Sequence, residues 1–154
     1  MSTFTPRDPD YATRVRNSFQ RQQIMAWIGA ELTHLAPGHC EITLPRKSEL
    51  TQQHGYMHGG ILGTIGDTAA GYAAYTLMPH DASVLTVEYK MNILAPGDGD
   101  LMIARGEVIR AGRTLIVARA DVYAVKAGKE THCASLLQTL MTMHGNSDQP
   151  RNGS

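Results

Sequence analysis

The residues able to do chemistry crowd into one stretch from Leu50 to Ala74, which reads LTQQHGYMHGGILGTIGDTAAGYAA. His58-Gly59-Gly60 stands where a loop turns into an apolar segment with helical spacing. N–H groups at a helix start have no intrahelical acceptor and lie at the positive end of its dipole. Such a start polarises a carbonyl or holds an oxyanion. Spacing alone serves a structural reading equally well, in which the two glycines let the helix begin against a neighbouring strand. Asp67 is the lone charge between Gly59 and Leu77. Carboxylates are rarely buried without a partner or a task, and one held away from water suits general-base work; the structural alternative is a hydrogen bond to nearby backbone. His54 is a further histidine candidate and reads as solvent-facing.

Asp67 lies eight residues beyond Gly59, roughly 12 Å along a helix axis at about 1.5 Å per residue. One substrate carbonyl cannot easily touch both within one chain. Joint action on it requires Asp67 to meet the Gly59 end of another subunit, which a two-fold dimer supplies twice.

A helix must carry these positions. From Gly59 to about Leu77 the chain is small and apolar, with Ile61, Ile65, Ala69, Tyr72 and Ala73 at helical spacing. Gly63, Gly66 and Gly71 each cost on the order of 1 kcal/mol relative to Ala, so packing on nearly all sides must hold this helix in the centre of the fold. Asp8-Pro9 is a cap and first-turn pair for an earlier helix through about Met25, with Tyr11, Val15 and Phe19 on one face. Ile28 to Leu35 and His39 to Leu44 read as strands around the turn Ala36-Pro37-Gly38. After Asp81, Leu85, Val87, Tyr89, Met91 and Ile93 alternate with Thr86, Glu88, Lys90 and Asn92, the pattern of a half-buried strand. Leu101 to Arg110, Thr114 to Val125 and Glu130 to Met143 follow as strands joined by tight turns. The order predicts an α+β fold, an antiparallel sheet wrapped around a long central helix.

Composition bounds the partners. The chain has 154 residues, 42% of them hydrophobic, with 14 Lys plus Arg against 14 Asp plus Glu. That is one domain with a proper core, and it lacks the basic excess of a protein that lives on nucleic acid or an anionic membrane. Met1 to Asp10 is polar with two prolines, so no secretory signal is read and a cytoplasmic location is expected. The apolar run Thr68 to Pro79 falls short of the roughly 20 residues that cross a bilayer. Cys40 and Cys133 lack metal-ligand spacing and read as buried small hydrophobes. The expected organisation is an N-terminal helical segment over 1–26, the main domain over 27–143, and a polar, disordered tail over 144–154.

At His58-Gly59-Gly60, Asp67, the small-residue helix through Ala74, Leu94-Ala95-Pro96-Gly97 and Gly112-Arg113-Thr114-Leu115, the sequence resembles the hotdog-fold acyl-CoA thioesterases, in particular the PaaI-like (phenylacetic acid degradation) branch. The resemblance covers about Glu31 to Met141. It implies that Gly59 offers its N–H to the thioester oxygen with Gly60 beside it, and that Asp67 activates water or attacks directly. It further implies that Gln52 positions the water and that His58 orders the turn. The hydroxyl that accompanies the acid in the family cannot come from Gly71, four residues after Asp67; Thr86 is the other candidate.

The implied substrate is an acyl-CoA, with no metal or redox cofactor and with CoA as part of the substrate. The implied assembly is a homodimer or a dimer of dimers. CoA phosphates need positive partners. Arg110 and Arg113 flank one turn, Lys126 and Lys129 another, and the resemblance favours Gly112-Arg113. Tyr72, Tyr75 and Tyr89 are candidates for an acyl pocket or for the core. The rival readings are a hotdog dehydratase or hydratase and a non-catalytic acyl-CoA-binding module.

Overall fold

A computed structural model describes residues 4–146, 148 and 149 of the chain. Two short helices, α1 (Tyr11–Arg21) and α2 (Gln23–Ile28), precede a hairpin of β1 (Glu31–Ala36) and β2 (His39–Pro45). The single turn Ser48–Leu50 leads to the central helix α3 (Gly59–Tyr75). Four long strands follow, β3 (Ala82–Ile93), β4 (Leu101–Ala111), β5 (Leu115–Lys126) and β6 (Lys129–His144). They form one six-stranded sheet in the order β1-β2-β4-β5-β6-β3, antiparallel at every pairing. This is the hotdog architecture, and α3 packs across the face of the sheet.

From Leu62 to Tyr75 all but two residues of α3 are buried, as a helix of Gly and Ala without a polar face requires. Its backbone approaches the sheet so closely that a Cβ on Gly106 of β4 would lie 2.2 Å from the Ala69 carbonyl oxygen. A Cβ on Gly66 would lie 2.7 Å from Leu136 Cδ1. The C-terminal end of α3 is held by α1. The Arg14 guanidinium donates to the carbonyls of Tyr75 (3.2 Å), Met78 (2.8 Å) and Pro79, lies 4.4 Å from the Tyr75 ring centroid and pairs with Asp8 at 3.1 Å. A cation at carbonyls left over by a helix end satisfies both their lone pairs and the dipole.

Three expectations need correction. The first helix does not run on to Met25: it breaks at Gln22, whose extended backbone (φ −75°, ψ 101°) ends α1 and whose carbonyl accepts from Met25 and Ala26 to start α2. Local propensity contains no breaker there. At the break the side chain makes a tertiary bond, Gln22 Nε2 to the Tyr72 hydroxyl at 2.9 Å. Helix α2 takes in Ile28, so the first strand starts at Glu31, and the helical segment passes the expected boundary at 26. The strand after Asp81 is not half-buried by simple alternation. Its pairing with β6 shifts register between Thr86 and Glu88, leaving Val87 as a bulge. Thr86 faces α3 before the bulge, and Tyr89 and Met91 face it afterwards. Because β3 is a sheet edge, Leu85, Val87, Tyr89 and Ile93 stay between 43% and 55% exposed.

The tail expectation concerns 144–154. His144 belongs to β6, and Asp148 pairs with Arg21 of α1, so these parts are placed; 147 and 150–154 lie outside the described residues. Cys40 and Cys133 are buried as expected, and burial pushes the Cys40 thiol up to about 12. No helix among the described residues is long and apolar enough to cross a membrane.

Replacing Gly106 with Ala should lower stability by about 3 kcal/mol or more, because the methyl must displace backbone on both elements. Urea denaturation checks this; an unchanged midpoint would show that the close approach of α3 to β4 is not a constraint.

Candidate active site

Two half-sites lie along β3. The first is built on the middle of α3. Asp67 is half-buried and lines a cleft of about 370 Å³ together with Gln22, Thr68, Gly71, Tyr72, Val84, Leu85 and Thr86. Thr86 Oγ1 donates to Asp67 Oδ1 at 2.7 Å, and Gln138 Nε2 donates to the same oxygen in a short contact. Gln138 also reaches Thr86 Oγ1 at 3.2 Å. Oδ2 has no hydrogen-bond partner among the described residues. The carboxylate is thus held by one oxygen and keeps the other to accept a proton or to attack.

Gln138 is fully buried, and its amide is oriented by the carboxylate, since the reverse orientation would set Oε1 against Oδ1. Sequence reasoning missed this residue. A signal was present: Ala134, Leu136, Leu140 and Thr142 mark the core-facing parity of β6, and Gln138 is a lone amide on that parity.

The second half-site is the start of α3. His58 is the N-cap, with Nδ1 accepting the Gly60 N–H at 2.9 Å and its carbonyl accepting from Ile61 and Leu62. That bond uses the Gly60 donor, so of the two glycines only Gly59 has an N–H with no acceptor among the described residues. His58 itself is exposed and shapes the turn. Gly59 and Gln52 line a common cleft of about 400 Å³ with Tyr56, Leu62, Ile93 and Pro96 among its walls. Gln52 Oε1 accepts the His54 N–H within a tight turn, which leaves Nε2 as the group Gln52 can offer. His54 is exposed, as read from sequence.

The structure therefore brings Asp67 to Thr86 and Gln52 to Gly59, but it keeps the two pairs in separate clefts of one chain, as the helix spacing requires. Arg110, Gly112 and Arg113 line neither cleft; the Gly112 N–H closes its turn on the Leu115 carbonyl at 3.0 Å. Of the three tyrosines, Tyr72 lines the Asp67 cleft, Tyr75 is buried beside Arg14, and the Tyr89 hydroxyl packs over Gly63. Among the described residues no cluster of His, Cys, Asp and Glu has the geometry of a metal site.

The model of the Thioesterase superfamily matches residues 54–131, which span the Gly59 start, Asp67 and β3 through β5. The chain belongs to this superfamily. The thioesterase is similar to a solved thioesterase family protein from Silicibacter pomeroyi, with 48% identity and a TM-score of 0.87 over 88% of this chain and 99% of that one. It is 28% identical to a 1,4-dihydroxy-2-naphthoyl-CoA hydrolase of Listeria monocytogenes over 68% of this chain and 80% of the relative. The PaaI protein from the phenylacetic acid degradation operon of E. coli shares its fold, with a TM-score of 0.78, 18% identity and coverage of 88% and 95%. The protein is thus a hotdog-fold thioester hydrolase of this superfamily.

Thr86→Val and Gln138→Leu each remove one donor to Oδ1 at nearly constant volume. Each should lower kcat about ten- to a hundredfold, the worth of one hydrogen bond to a charged group, with a smaller change in KM. Steady-state kinetics with a thiol-trapping reagent gives both constants; a pure KM effect would remove these residues from the carboxylate's machinery.

Proposed function

We propose that the protein hydrolyses acyl-CoA thioesters to the free acid and CoA, at sites shared between two copies of the chain. The observation that carries this is the free Oδ2 of an anchored Asp67 in one cleft and the unpaired Gly59 N–H in another, both flanking the same open strand edge. Val84, Leu85 and Thr86 border the Asp67 cleft, and Ile93 and Leu94 border the Gly59 cleft. Antiparallel pairing of β3 with its own copy, about a two-fold axis near Tyr89 and Lys90, lays each cleft of one subunit against the other kind in its partner. The same pairing covers the exposed apolar residues of β3, which a monomer would leave in water.

In that assembly the Gly59 N–H and Gln52 Nε2 donate to the thioester oxygen and stabilise the oxyanion. Asp67 Oδ2 takes a proton from water as its oxygen bonds to the carbonyl carbon, or attacks that carbon directly. The C–S bond then breaks: on the first route the thiolate leaves as CoA-SH with the proton that Asp67 took from water, and on the second a water hydrolyses the Asp67 anhydride, releasing the acid and supplying the thiolate's proton. Gln52, expected to hold the water, fits the carbonyl better because its acceptor atom is already used. For the CoA phosphates, the Gly59 cleft shares Tyr56, Ala95 and Pro96 with a cavity of about 410 Å³ that reaches Lys126 and Lys129. Lys126 is paired with Asp98 at 2.8 Å, while Lys129 has no carboxylate partner among the described residues. Within one subunit this turn serves the phosphates better than Arg110 and Arg113. The CoA hydrolase named among the relatives supports the class of substrate.

Two variants test the chemistry. Asp67→Asn keeps size and removes the base, and should cost about a thousandfold in kcat. Gly59→Pro deletes one N–H and little else, because Pro suits the first helical position and His58 already has the extended backbone (φ −63°, ψ 135°) that a residue before Pro adopts. It should cost about a hundred- to a thousandfold. Thiol release from phenylacetyl-, hydroxybenzoyl- and medium-chain acyl-CoA measures both, and turnover near wild type in either variant rejects its role.

Mixing the two inactive variants after subunit exchange tests the sharing. Random pairing makes half the dimers mixed, each with one intact site, so about a quarter of wild-type activity should return. No recovery despite demonstrated exchange would place both groups in one chain.

A further inference from the structure

The Asp67 cleft does not end in a solid wall. A second cavity of about 340 Å³ continues from it, and the two share Gln22, Tyr72, Val84 and Leu85. Tyr72 is fixed in the core at 3% exposure, its ring edge-on to Phe19 and its hydroxyl 3.1 Å from Ser18 Oγ. Gln22 reaches it from the break between α1 and α2, with Nε2 donating to the hydroxyl at 2.9 Å. Burial raises the Tyr72 phenol above the ordinary tyrosine range, so the hydroxyl stays neutral and keeps this bond. Beyond the bond, the second cavity is bordered by Arg21 and Asp148, which pair with each other.

We propose that the Gln22–Tyr72 hydrogen bond is the partition that sets acyl length in this thioesterase, confining the acyl group to the first cleft. The inference rests on the reading of Asp67 as the hydrolytic carboxylate. Tyr72 follows Asp67 by five residues, about 7.5 Å along the helix, which leaves room for one ring or a short chain between the reacting carbonyl and the partition. Gly71 keeps that stretch of helix surface free of side chain, and the protein does not need it bare for packing: a Cβ there would meet Leu140 Cδ2 at an ordinary 3.7 Å. A long acyl chain must displace Gln22 and break its bond, whereas a short one leaves it in place. Removing the Gln22 side chain joins the two cavities.

The test is the ratio of kcat/KM for decanoyl-CoA to that for butanoyl-CoA, measured on the same preparation, so that the folded fraction cancels. The wild-type ratio should lie below about 0.1, since blocking even a methylene or two costs a factor of this size. Gln22→Ala should raise the ratio at least tenfold. Tyr72→Phe, which leaves the amide in place but unanchored, should raise it less. A wild-type ratio near 1, or a ratio changed less than twofold in Gln22→Ala, overturns the partition while leaving the site reading intact. Absence of turnover of either thioester by wild type, and of phenylacetyl-CoA, overturns the site reading and the partition with it.

Discussion

The close approach of α3 to the sheet is the constraint on which the rest depends. At Gly106 the backbones of helix and strand nearly touch, and Ala69, Ala70, Ala73 and Ala74 are buried with no side chain longer than a methyl. Alanine favours a helix, but Gly63, Gly66 and Gly71 each cost about 1 kcal/mol relative to it, so packing on the sheet must offset them. The gain is a fixed register. A helix packed at backbone distance cannot slide or rotate without collisions, and Asp67 therefore meets Gln138 and Thr86 in one way. The same rigidity fixes the start of α3, where His58 ties down Gly60 and leaves the Gly59 donor free.

A rigid straight helix also separates its two reactive points. No side-chain rotation closes about 12 Å between a helix start and a residue two turns on. In the proposed assembly the edge strand resolves the difficulty, because it borders both clefts and among the described residues pairs with β6 alone. The bulge at Val87 matters here. With strict alternation, Thr86 and Tyr89 would face opposite sides of the sheet, and one of them would lose its place against α3. The extra residue lets Thr86 reach the carboxylate while Tyr89 and Met91 still cover Gly63.

Much of this was legible in the sequence, where local chemistry decides. The spacing of Gly59 and Asp67, the small-residue helix and the four long strands with their turns are all short-range signals, and each strand lies within a few residues of its expected ends. Thr86 was legible through the resemblance, which implies a hydroxyl beside the acid that Gly71 cannot supply. Three features were not legible, and each depends on a partner remote in sequence. The Val87 bulge is defined only against β6. Gln138 looks like one polar residue in a strand until Asp67 is set over it, 71 residues away in sequence. The break at Gln22 contains no Gly or Pro, and the bond made there goes to Tyr72, 50 residues on.

That last bond shows how the N-terminal helices serve the site without entering its chemistry. Arg14 occupies the carbonyls at the end of α3, opposite the end where Gly59 points its free N–H, so both poles of one helix dipole are in use. Eight residues after Arg14, the same segment sends Gln22 onto Tyr72 at the far wall of the Asp67 cleft. Anchoring at one end and wall-building at the other are two contacts of a single short segment with α3. Substitutions in α1 and α2 can therefore reshape the cleft while Asp67, Thr86 and Gln138 keep their geometry, because the Asp67 carboxylate takes its support from the sheet and not from these helices. Asp67 and the Gly59 N–H are placed by the packing of α3 on the strands; the far wall of the Asp67 cleft is placed by what is laid across the helix afterwards.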